Sequence, residues 1–176
     1  MRAIVLVDEN FGIGCQGEQI LYLKSDLQRF VRLTRGHVMI YGRKTMETFP
    51  DGLPLKGRLN LILSERRDIS WPEDREAKVI HSLEELQAEL RTLKAQGYLE
   101  SEFFVLGGAS VYEQLLPSCD SIELTYVRIR THADRSFPRE ELLRDFELSQ
   151  ESEEMTEVMD DGRQISYVYR SYRRKS

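Results

Sequence analysis

Residues 12–30 read G-I-G-C-Q-G-E-Q-I-L-Y-L-K-S-D-L-Q-R-F, and the rest of the chain is best interpreted outward from them. The first half is a loop punctuated by glycines. The second half has the spacing of an amphipathic helix, which we predict over residues 25–35. Asp26 lies four residues before Phe30 and shares its apolar face. A carboxylate on such a face is costly unless it is paired, so the main question is what Asp26 holds.

The composition limits the class of protein. A chain of 176 residues favours one domain, spanning residues 1–176, with a substantial core. With 40% hydrophobic and 31% charged residues, it has the make-up of a soluble globular protein. The net charge of -5 argues against a nucleic-acid surface. No apolar run approaches the length of a membrane span, so we predict neither a nucleic-acid nor a membrane partner.

Cysteine and histidine usage indicates the compartment and argues against a metal site. The two cysteines, Cys15 and Cys119, are far apart, and neither has metal-ligand residues nearby. The simplest explanation is a reduced cytoplasmic protein. The three histidines, His37, His81 and His132, are scattered along the chain, and we therefore predict no metal.

Apolar runs alternate with helical patterns through most of the chain. Strands are predicted at residues 3–7, 37–41, 58–64, 78–81, 102–106 and 120–128, and helices at 25–35, 42–49, 82–96 and 109–116. The loop of residues 8–22 is long enough to be functional. Residues 146–152 and 165–172 alternate, and we predict that they form a hairpin joined through residues 160–162. The fold class is therefore α/β: a single domain whose central sheet is mostly parallel, with helices on both faces and an antiparallel C-terminal hairpin.

Three polar junctions follow predicted strands, where such sheets bind ligands. Residues 42–45 (G-R-K-T) combine cations and free amides at a helix start, which suits a phosphate, although a solvated basic turn is an equal alternative. Residues 64–67 (S-E-R-R) could contact a second phosphate through hydroxyl and guanidinium groups, but taken alone they are better explained as a solvated charge run. Residues 107–112 (G-G-A-S-V-Y) allow close backbone approach to a ligand, but a plain tight turn competes.

Single residues also have ordinary explanations. An acid in the first turn of a helix, such as Asp26, is favoured by the helix dipole. Thr125 has good strand propensity, and Arg58 opens a strand where a surface cation is common. None of these residues identifies a site without the others.

Taken together, the motifs resemble the dihydrofolate reductase family, in the same order over essentially the whole chain. The shared pieces are I-G-x-x-G at residues 13–17, L-x-x-D-L-x-x-F at 23–30, G-R-K-T-x-E at 42–47, P-L-x-G-R at 54–58, N-L-I-L-S at 60–64, G-G-x-x-V-Y-E at 107–113, L-T at 124–125 and A-D-x-x-F-P at 133–138. Their order and spacing are far more specific than any one of them.

The resemblance assigns a substrate half of the site. Asp26 would hold the 2-amino group and ring N3 of the pterin through two parallel hydrogen bonds, with Thr125 as its hydroxyl partner. These two form the expected catalytic pair. Arg58 would bind the α-carboxylate of the substrate's glutamate tail. The expected substrate-binding residues are Ile4, Leu21, Phe30, Phe49, Leu55, Arg58 and Leu106.

The resemblance also implies NADPH as cofactor and a cis peptide between Gly107 and Gly108. The implied reaction is hydride transfer to pterin C6 with N5 protonated, converting 7,8-dihydrofolate to 5,6,7,8-tetrahydrofolate. Asp26 would tune the pterin, and the proton would come from water. The expected cofactor-binding residues are Leu6, Ile13, Gly14, Gly42, Arg43, Lys44, Thr45, Leu63, Ser64, Glu65, Gly107, Gly108, Ser110, Val111 and Tyr112.

The chain departs from the family pattern in the loop. Where the family reads L-P-W-x-L, residues 19–23 read Q-I-L-Y-L, so Ile20 and Leu21 replace proline and tryptophan. Leu21 supplies apolar cover but no N–H donor. Leu6 replaces the small residue usual in the first strand. These changes bear on turnover, loop motion and antifolate sensitivity.

Two other functions remain open. The reductase of riboflavin biosynthesis has the same fold and a different substrate, although Asp26, Phe30 and Arg58 together favour folate. A non-catalytic folate or NADPH binder is the second. We expect a monomer whose partner is the small molecule dihydrofolate.

Overall fold

The computed structural model describes all residues, 1–176. The strands are β1 Arg2–Val7, β2 Gly12–Cys15, β3 Glu18–Gln19, β4 Val38–Gly42, β5 Leu59–Leu63, β6 Glu76–Ile80, β7 Phe103–Gly107, β8 Ser121–Val127, β9 Arg135–Ser136, β10 Phe146–Glu151, β11 Met155–Val158 and β12 Gln164–Arg174. The helices are α1 Lys24–Thr34, α2 Arg43–Met46, α3 Leu83–Ala95, α4 Ala109–Leu115 and α5 Arg139–Asp145. Short 3₁₀ turns occupy Pro50–Gly52, Glu100–Glu102 and Leu116–Ser118.

One large sheet organises the molecule. Its strands lie in the order β10-β12-β8-β1-β7-β4-β5-β6, and β11 also pairs with β12. The six strands from β8 to β6 are mutually parallel. Strand β12 runs antiparallel to β8 and to β10. The predicted α/β class, with a mostly parallel sheet and an antiparallel C-terminal end, is confirmed.

Alternation along the central strands gives the sheet two buried faces. Val38 and Ile40 point into a core completed by α3, α4 and α5, whereas Met39 and Tyr41 point into a core that includes Met46 of α2. Residues of α1 pack against that second core. Both faces of the sheet are therefore covered by helices, which explains the continuous apolar runs in the sequence.

The predicted loop of residues 8–22 contains regular structure. Strand β2 pairs with β3 and with β9, forming a small separate sheet. Asp8 is fully buried at the start of this segment, where it accepts hydrogen bonds from the amides of Asn10, Gly12 and Thr131 and from the Thr131 hydroxyl. Burial alone would raise the pKa of Asp8, but these hydrogen bonds bring the pKa below its ordinary value.

The C-terminal end differs in detail from the predicted hairpin. Strand β10 does pair with β12, but an unpredicted strand, β11, lies between them in sequence and also pairs with β12. The turn at residues 160–162 therefore joins β11 to β12. Gly162 has a φ of +86°, which glycine adopts without strain. Helix α5, in residues 139–145, was also not predicted.

Helix ends follow the local sequence closely. The glycine after α1, Gly36, has a φ of +79°, as expected for a helix-ending residue. Ser82 caps α3 by accepting the amide of Glu85 at 3.0 Å. The Glu85 carboxylate in turn accepts the amide of His81, the residue before the cap, at 2.8 Å. None of the helices has the length and apolar character needed to cross a membrane.

Candidate active site

A single cleft of about 1300 Å³ opens beyond the carboxyl ends of β1, β4, β5 and β7 and is bordered by α1. This volume exceeds the usual 300–1,000 Å³ range of a small-molecule pocket and leaves room for more than one ligand. Every residue expected in the site lines this cleft except Leu21 and Gly107. The structure thus brings the two predicted halves together.

Asp26 and Thr125 form the polar centre of one end of the cleft. Thr125, only 2% exposed on β8, donates its hydroxyl hydrogen to Asp26 Oδ1 at 2.5 Å. No protein group donates to Asp26 Oδ2. One carboxylate oxygen is therefore fixed by the protein, while the other is free to accept from a ligand.

The surroundings of Asp26 work against its charge. Burial raises its pKa above the ordinary value; the Thr125 hydrogen bond and the charge of Arg29 lower it, and the charge of Glu157 raises it, with a net rise. Raised pKa values of this kind are typical of functional sites.

Helix α1 begins with a cap from a distant part of the chain. Leu23, at the N-cap position, offers no side-chain acceptor. Glu157 of β11 instead accepts the amides of Lys24 and Ser25 at 2.8 and 3.0 Å, and also the Ser25 hydroxyl. The carboxylate satisfies free amides and complements the helix dipole just before Asp26. No local sequence pattern predicts this role for Glu157.

Arg58 lies at the outer end of the same half. Its Nε and Nη2 donate to Thr34 Oγ1, both at 3.2 Å, and Nη1 donates to the Lys56 carbonyl at 2.7 Å. The guanidinium carbon lies 5.8 Å from the centre of the Phe30 ring. Burial and the nearby charge of Arg35 lower its pKa. Arg58 has no carboxylate partner in the protein, so an oriented cation is left for an anionic ligand.

A buried asparagine shapes the loop that carries Leu55 and Arg58. Asn60 is fully buried and accepts from both the Leu55 amide and the Tyr41 hydroxyl. Its amide nitrogen donates to the carbonyls of Leu55, Arg58 and Glu76. These bonds fix the loop against β5, which orients the wall and the cation together.

Several apolar residues near α1 differ in position from what the sequence pattern predicts. Leu27 and Val31 have the spacing of the apolar face of α1, yet they are 44% and 42% exposed and line the mouth of the cleft. Leu21 is buried instead in a small cluster with Leu23 and Ile165, so it does not reach the cleft. Tyr22, 41% exposed, is the aromatic residue of this loop that does line it.

The second end of the cleft is built around Gly107 and Gly108. The peptide bond between them is cis, as expected. Gly107 has a φ of +108°, and a Cβ there would lie 2.8 Å from the ring of Tyr112. The Tyr112 hydroxyl donates to the Ile4 carbonyl at 2.6 Å, and burial raises its pKa. The ring thus holds the glycine backbone at the floor of the cleft, beside β1.

Two arginines at or near this end already pair with acidic residues close by in the chain. Arg43 pairs with Glu47 one turn along the chain. Arg66 pairs with Asp68 at 2.7 Å, and its amide donates to Ser64 Oγ. Lys44 lines the cleft without an ion pair. His81, which was not among the expected site residues, also lines the cleft, and its Nδ1 donates to the Ser64 carbonyl at 2.9 Å.

The glycine-rich segment closes over this end. The Gln16 amide donates to Asp134 Oδ2 at 3.0 Å, and the Asp134 amide donates to the Gly14 carbonyl. A Cβ on Gly12 would lie 2.4 Å from the Cβ of Ala133, so the two segments meet where only glycine fits. Ile13, Gly14 and the unpredicted Cys15 line the cleft as a result.

The sequence is similar to those of known proteins. A sequence profile described as dihydrofolate reductase matches residues 1–174. The chain is similar to dihydrofolate reductase of Aedes albopictus, with 32% identity over 182 residues, 96% of this chain and 94% of that protein. It is 33% identical to dihydrofolate reductase of Bacillus subtilis over 135 residues, 77% of this chain and 73% of that one.

A solved structure gives the same result. Dihydrofolate reductase from Enterococcus faecalis, complexed with NADP(H) and RAB-propyl, superposes with a TM-score of 0.76 and 26% identity, over 99% of this chain and 96% of that one. Sequence and fold agree: this chain belongs to the dihydrofolate reductase family of NADPH-dependent oxidoreductases.

Proposed function

We propose that this chain reduces 7,8-dihydrofolate to 5,6,7,8-tetrahydrofolate with NADPH and so supports one-carbon metabolism. The observation that carries the proposal is the carboxylate of Asp26, with Oδ1 fixed by Thr125 and Oδ2 free inside an apolar cleft. Such a group suits a flat ring that presents two parallel N–H donors, as a pterin does.

Arg58 supports folate over a smaller pyrimidine substrate. It is oriented by Thr34 and Lys56 but has no protein carboxylate. A guanidinium presented in this way suits the α-carboxylate of a glutamate tail. Phe30, Phe49 and Leu55 line the cleft, and we assign them to the rings of the pterin and the aminobenzoyl group.

The other half of the cleft fits NADPH. Lys44 and Arg43 are donors along its polar part, beside Ser64 and His81. The backbone at Gly108 is open to close approach, since a Cβ there would touch only Thr45 Oγ1, at 3.5 Å. We assign the phosphates to the first group of residues and the nicotinamide to the floor around Gly108, Tyr112 and Leu6. The cofactor, when bound, supplies the hydride that pterin C6 accepts.

The protein's own contribution is orientation and exclusion of water. Asp26 holds the pterin through N3 and the 2-amino group, which fixes the face that C6 presents. Tyr112 keeps the glycine backbone in place through its bond to Ile4. The segment of residues 12–19 covers the ligands. The proton for N5 comes from water, and Asp26 tunes the pterin rather than donating directly.

A turnover assay tests this function. With NADPH and dihydrofolate, absorbance of the reduced cofactor should fall, and the folate product should form in equal amount. NADPH binding without any turnover would overturn the enzymatic proposal in favour of a non-catalytic binder. Reduction of a riboflavin-pathway pyrimidine in place of dihydrofolate would overturn the substrate assignment.

Assembly and location belong to the same proposal. Every assigned group comes from one chain, and we propose that residues 1–176 act as one domain and as a monomer. Both cysteines, Cys15 and Cys119, are free thiols, and a reducing cytoplasm is the compartment that suits them. Gel filtration of the active protein tests the monomer.

A further inference from the structure

A network of charged side chains lies next to Asp26 and takes no part in the scheme above. Arg29 Nη2 donates to Glu123 Oε2 at 3.1 Å, and Arg2 Nη2 donates to Glu123 Oε1 at the same distance. The Ser171 hydroxyl donates to Glu123 Oε2 at 2.7 Å. The side chains of Arg29 and Glu123 are only 17% and 12% exposed. Burying such charges carries a desolvation cost, which their mutual attraction and hydrogen bonds offset only when the geometry is good.

The Arg29–Glu123 pair is in register with the Asp26–Thr125 pair. Arg29 follows Asp26 by three residues on α1, so the two side chains are neighbours on one helix face. Glu123 precedes Thr125 by two residues on β8, so they share one face of the strand. Two polar bridges therefore join α1 to β8 side by side, and the helix cannot shift along the strand without breaking both.

Arg29 is held near Asp26 by contacts with other residues and does not form an ion pair with it. The guanidinium carbon lies 4.2 Å from the centre of the Tyr169 ring, which fixes its plane. Its hydrogen bond goes to Glu123, and it makes none to Asp26. Asp26 therefore has a cation beside it while Oδ2 stays free for a ligand.

We propose that Arg29, anchored by Glu123, is a positioning residue for Asp26 and sets the pH range over which this carboxylate binds the pterin. The inference rests on the proposed function, because it concerns the same carboxylate. It adds a residue at the border of the same cleft that acts through Asp26.

The charges around Asp26 favour this role. Burial and the charge of Glu157 oppose ionisation of Asp26, while Thr125 and Arg29 favour it. Arg2 is more remote, on the far side of Glu123. The titratable and charged groups facing this region are Arg29 on α1, Glu123 on β8, Glu157 on β11, Tyr167 and Tyr169 on β12, and Arg2 on β1.

The direct test is a titration of Asp26 by carbon NMR in protein labelled with [13C]aspartate, the Asp26 signal being identified by its loss in Asp26→Asn. Arg29→Gln should raise the pKa of Asp26 by about one unit, as expected for loss of an adjacent opposite charge. Glu123→Gln should lower it, because a like charge is removed and Arg29 is released toward Asp26. Arg32→Gln, on the same helix but exposed and unpaired, should leave it unchanged.

The two substitutions should shift the pKa of Asp26 in opposite directions, whereas a general loosening of the contact between α1 and β8 would shift it in the same direction in both. If Arg29→Gln and Glu123→Gln shift the pKa in the same direction, or if Arg29→Gln matches Arg32→Gln, the proposal is wrong. Arg29→Lys is the second variant. It keeps the positive charge, so the pKa of Asp26 should stay close to that of the wild type. A pKa equal to that in Arg29→Gln would also refute the proposal.

The titration is done without substrate, so it does not depend on turnover. If wild type fails to reduce dihydrofolate, the proposed function fails whatever the titration shows. If wild type is active, the pH profile of kcat/KM for Arg29→Gln should move upward by the same amount as the pKa, and an unmoved profile would overturn the role of Arg29 in the reaction.

Discussion

The two ends of the cleft handle charge in different ways. At the substrate end, Asp26 and Arg58 are oriented by neutral groups, the hydroxyls of Thr125 and Thr34, and neither has an oppositely charged protein partner hydrogen-bonded to it. At the cofactor end, Arg43 and Arg66 are paired with Glu47 and Asp68. The two charges assigned to the substrate are thus unpaired, whereas two arginines at or near the cofactor end are partly neutralised in advance and only Lys44 there lacks an ion pair.

This difference in pairing predicts which contacts contribute most to binding. A pre-oriented charge without a partner gives a large gain when its ligand arrives, because no existing pair has to be broken. A cation that already pairs with an exposed acid gains less, and salt screens the gain. Substitutions of Asp26 and Arg58 should therefore have large effects, and those that alter the paired cations at the cofactor end small ones.

The largest effect should come from Asp26→Asn. It removes the charge that accepts two N–H donors from the pterin, and kcat/KM for dihydrofolate should fall at least about a hundredfold at neutral pH, since each hydrogen bond to a charged group contributes roughly 1.5–3 kcal/mol. NADPH binding, measured by cofactor fluorescence, should be unchanged. Activity close to wild type would remove Asp26 from the centre of the site.

Arg58→Gln should have the next largest effect. KM for dihydrofolate should rise about 30- to 100-fold, because an oriented, charge-assisted fork is lost at a partly exposed position. The change in kcat and in NADPH affinity should be small. Equal losses of substrate and cofactor affinity would refute the assignment to the glutamate tail.

Glu47→Gln should give a small effect of opposite sign at the cofactor end. Freeing Arg43 from its exposed partner should tighten NADPH binding about two- to fivefold at low salt, and the gain should shrink as salt is added. The matched control is Glu154→Gln, which breaks the comparable exposed pair with Arg128 far from the cofactor end. A similar gain in the control would mean that only net charge matters.

Asp26→Asn should also have a small effect on stability, of opposite sign to its effect on activity. The pKa of Asp26 is raised above 3.8 in the folded state. The free energy of unfolding therefore falls as pH rises from 3.8 through the folded-state pKa, because the folded protein resists ionisation of this group. At pH 7 without ligands, the variant should melt about 2–4 °C higher than wild type. This difference in melting temperature should vanish at pH values below 3.8, where Asp26 is neutral in both the folded and the unfolded wild type. A melting temperature below that of the wild type at pH 7 would contradict the prediction.

The sequence was sufficient for the central strands and for the polar centre of the site. Continuous apolar runs such as residues 38–41 have one stable placement, inside a covered sheet. Asp26 and Thr125 stood out because their motifs kept order and spacing, and the structure bridges them directly. Their binding roles remain predictions.

The rest depended on contacts between distant segments. Strands β3 and β9 have only two residues each, Glu18–Gln19 and Arg135–Ser136, and carry no apolar alternation. Glu157 is one of several acids between residues 151 and 157, and nothing local distinguishes it as the cap of α1. Leu21 and Tyr22 are adjacent, and packing against Ile165, far away in sequence, decides which of them turns inward. Local patterns do not encode such choices.

The cap that Glu157 places on α1 also governs when the site can exist during synthesis. The helix that carries Asp26 depends on contacts with Glu157 and Tyr167, made through Ser25 across more than 130 residues. A nascent chain that has released only its first half lacks these partners, although Asp26 itself was among the earliest residues made. Chains emerge at about 5–20 residues per second, so the carboxylate waits several seconds for its surroundings. Ligand capture is therefore a property of the finished chain.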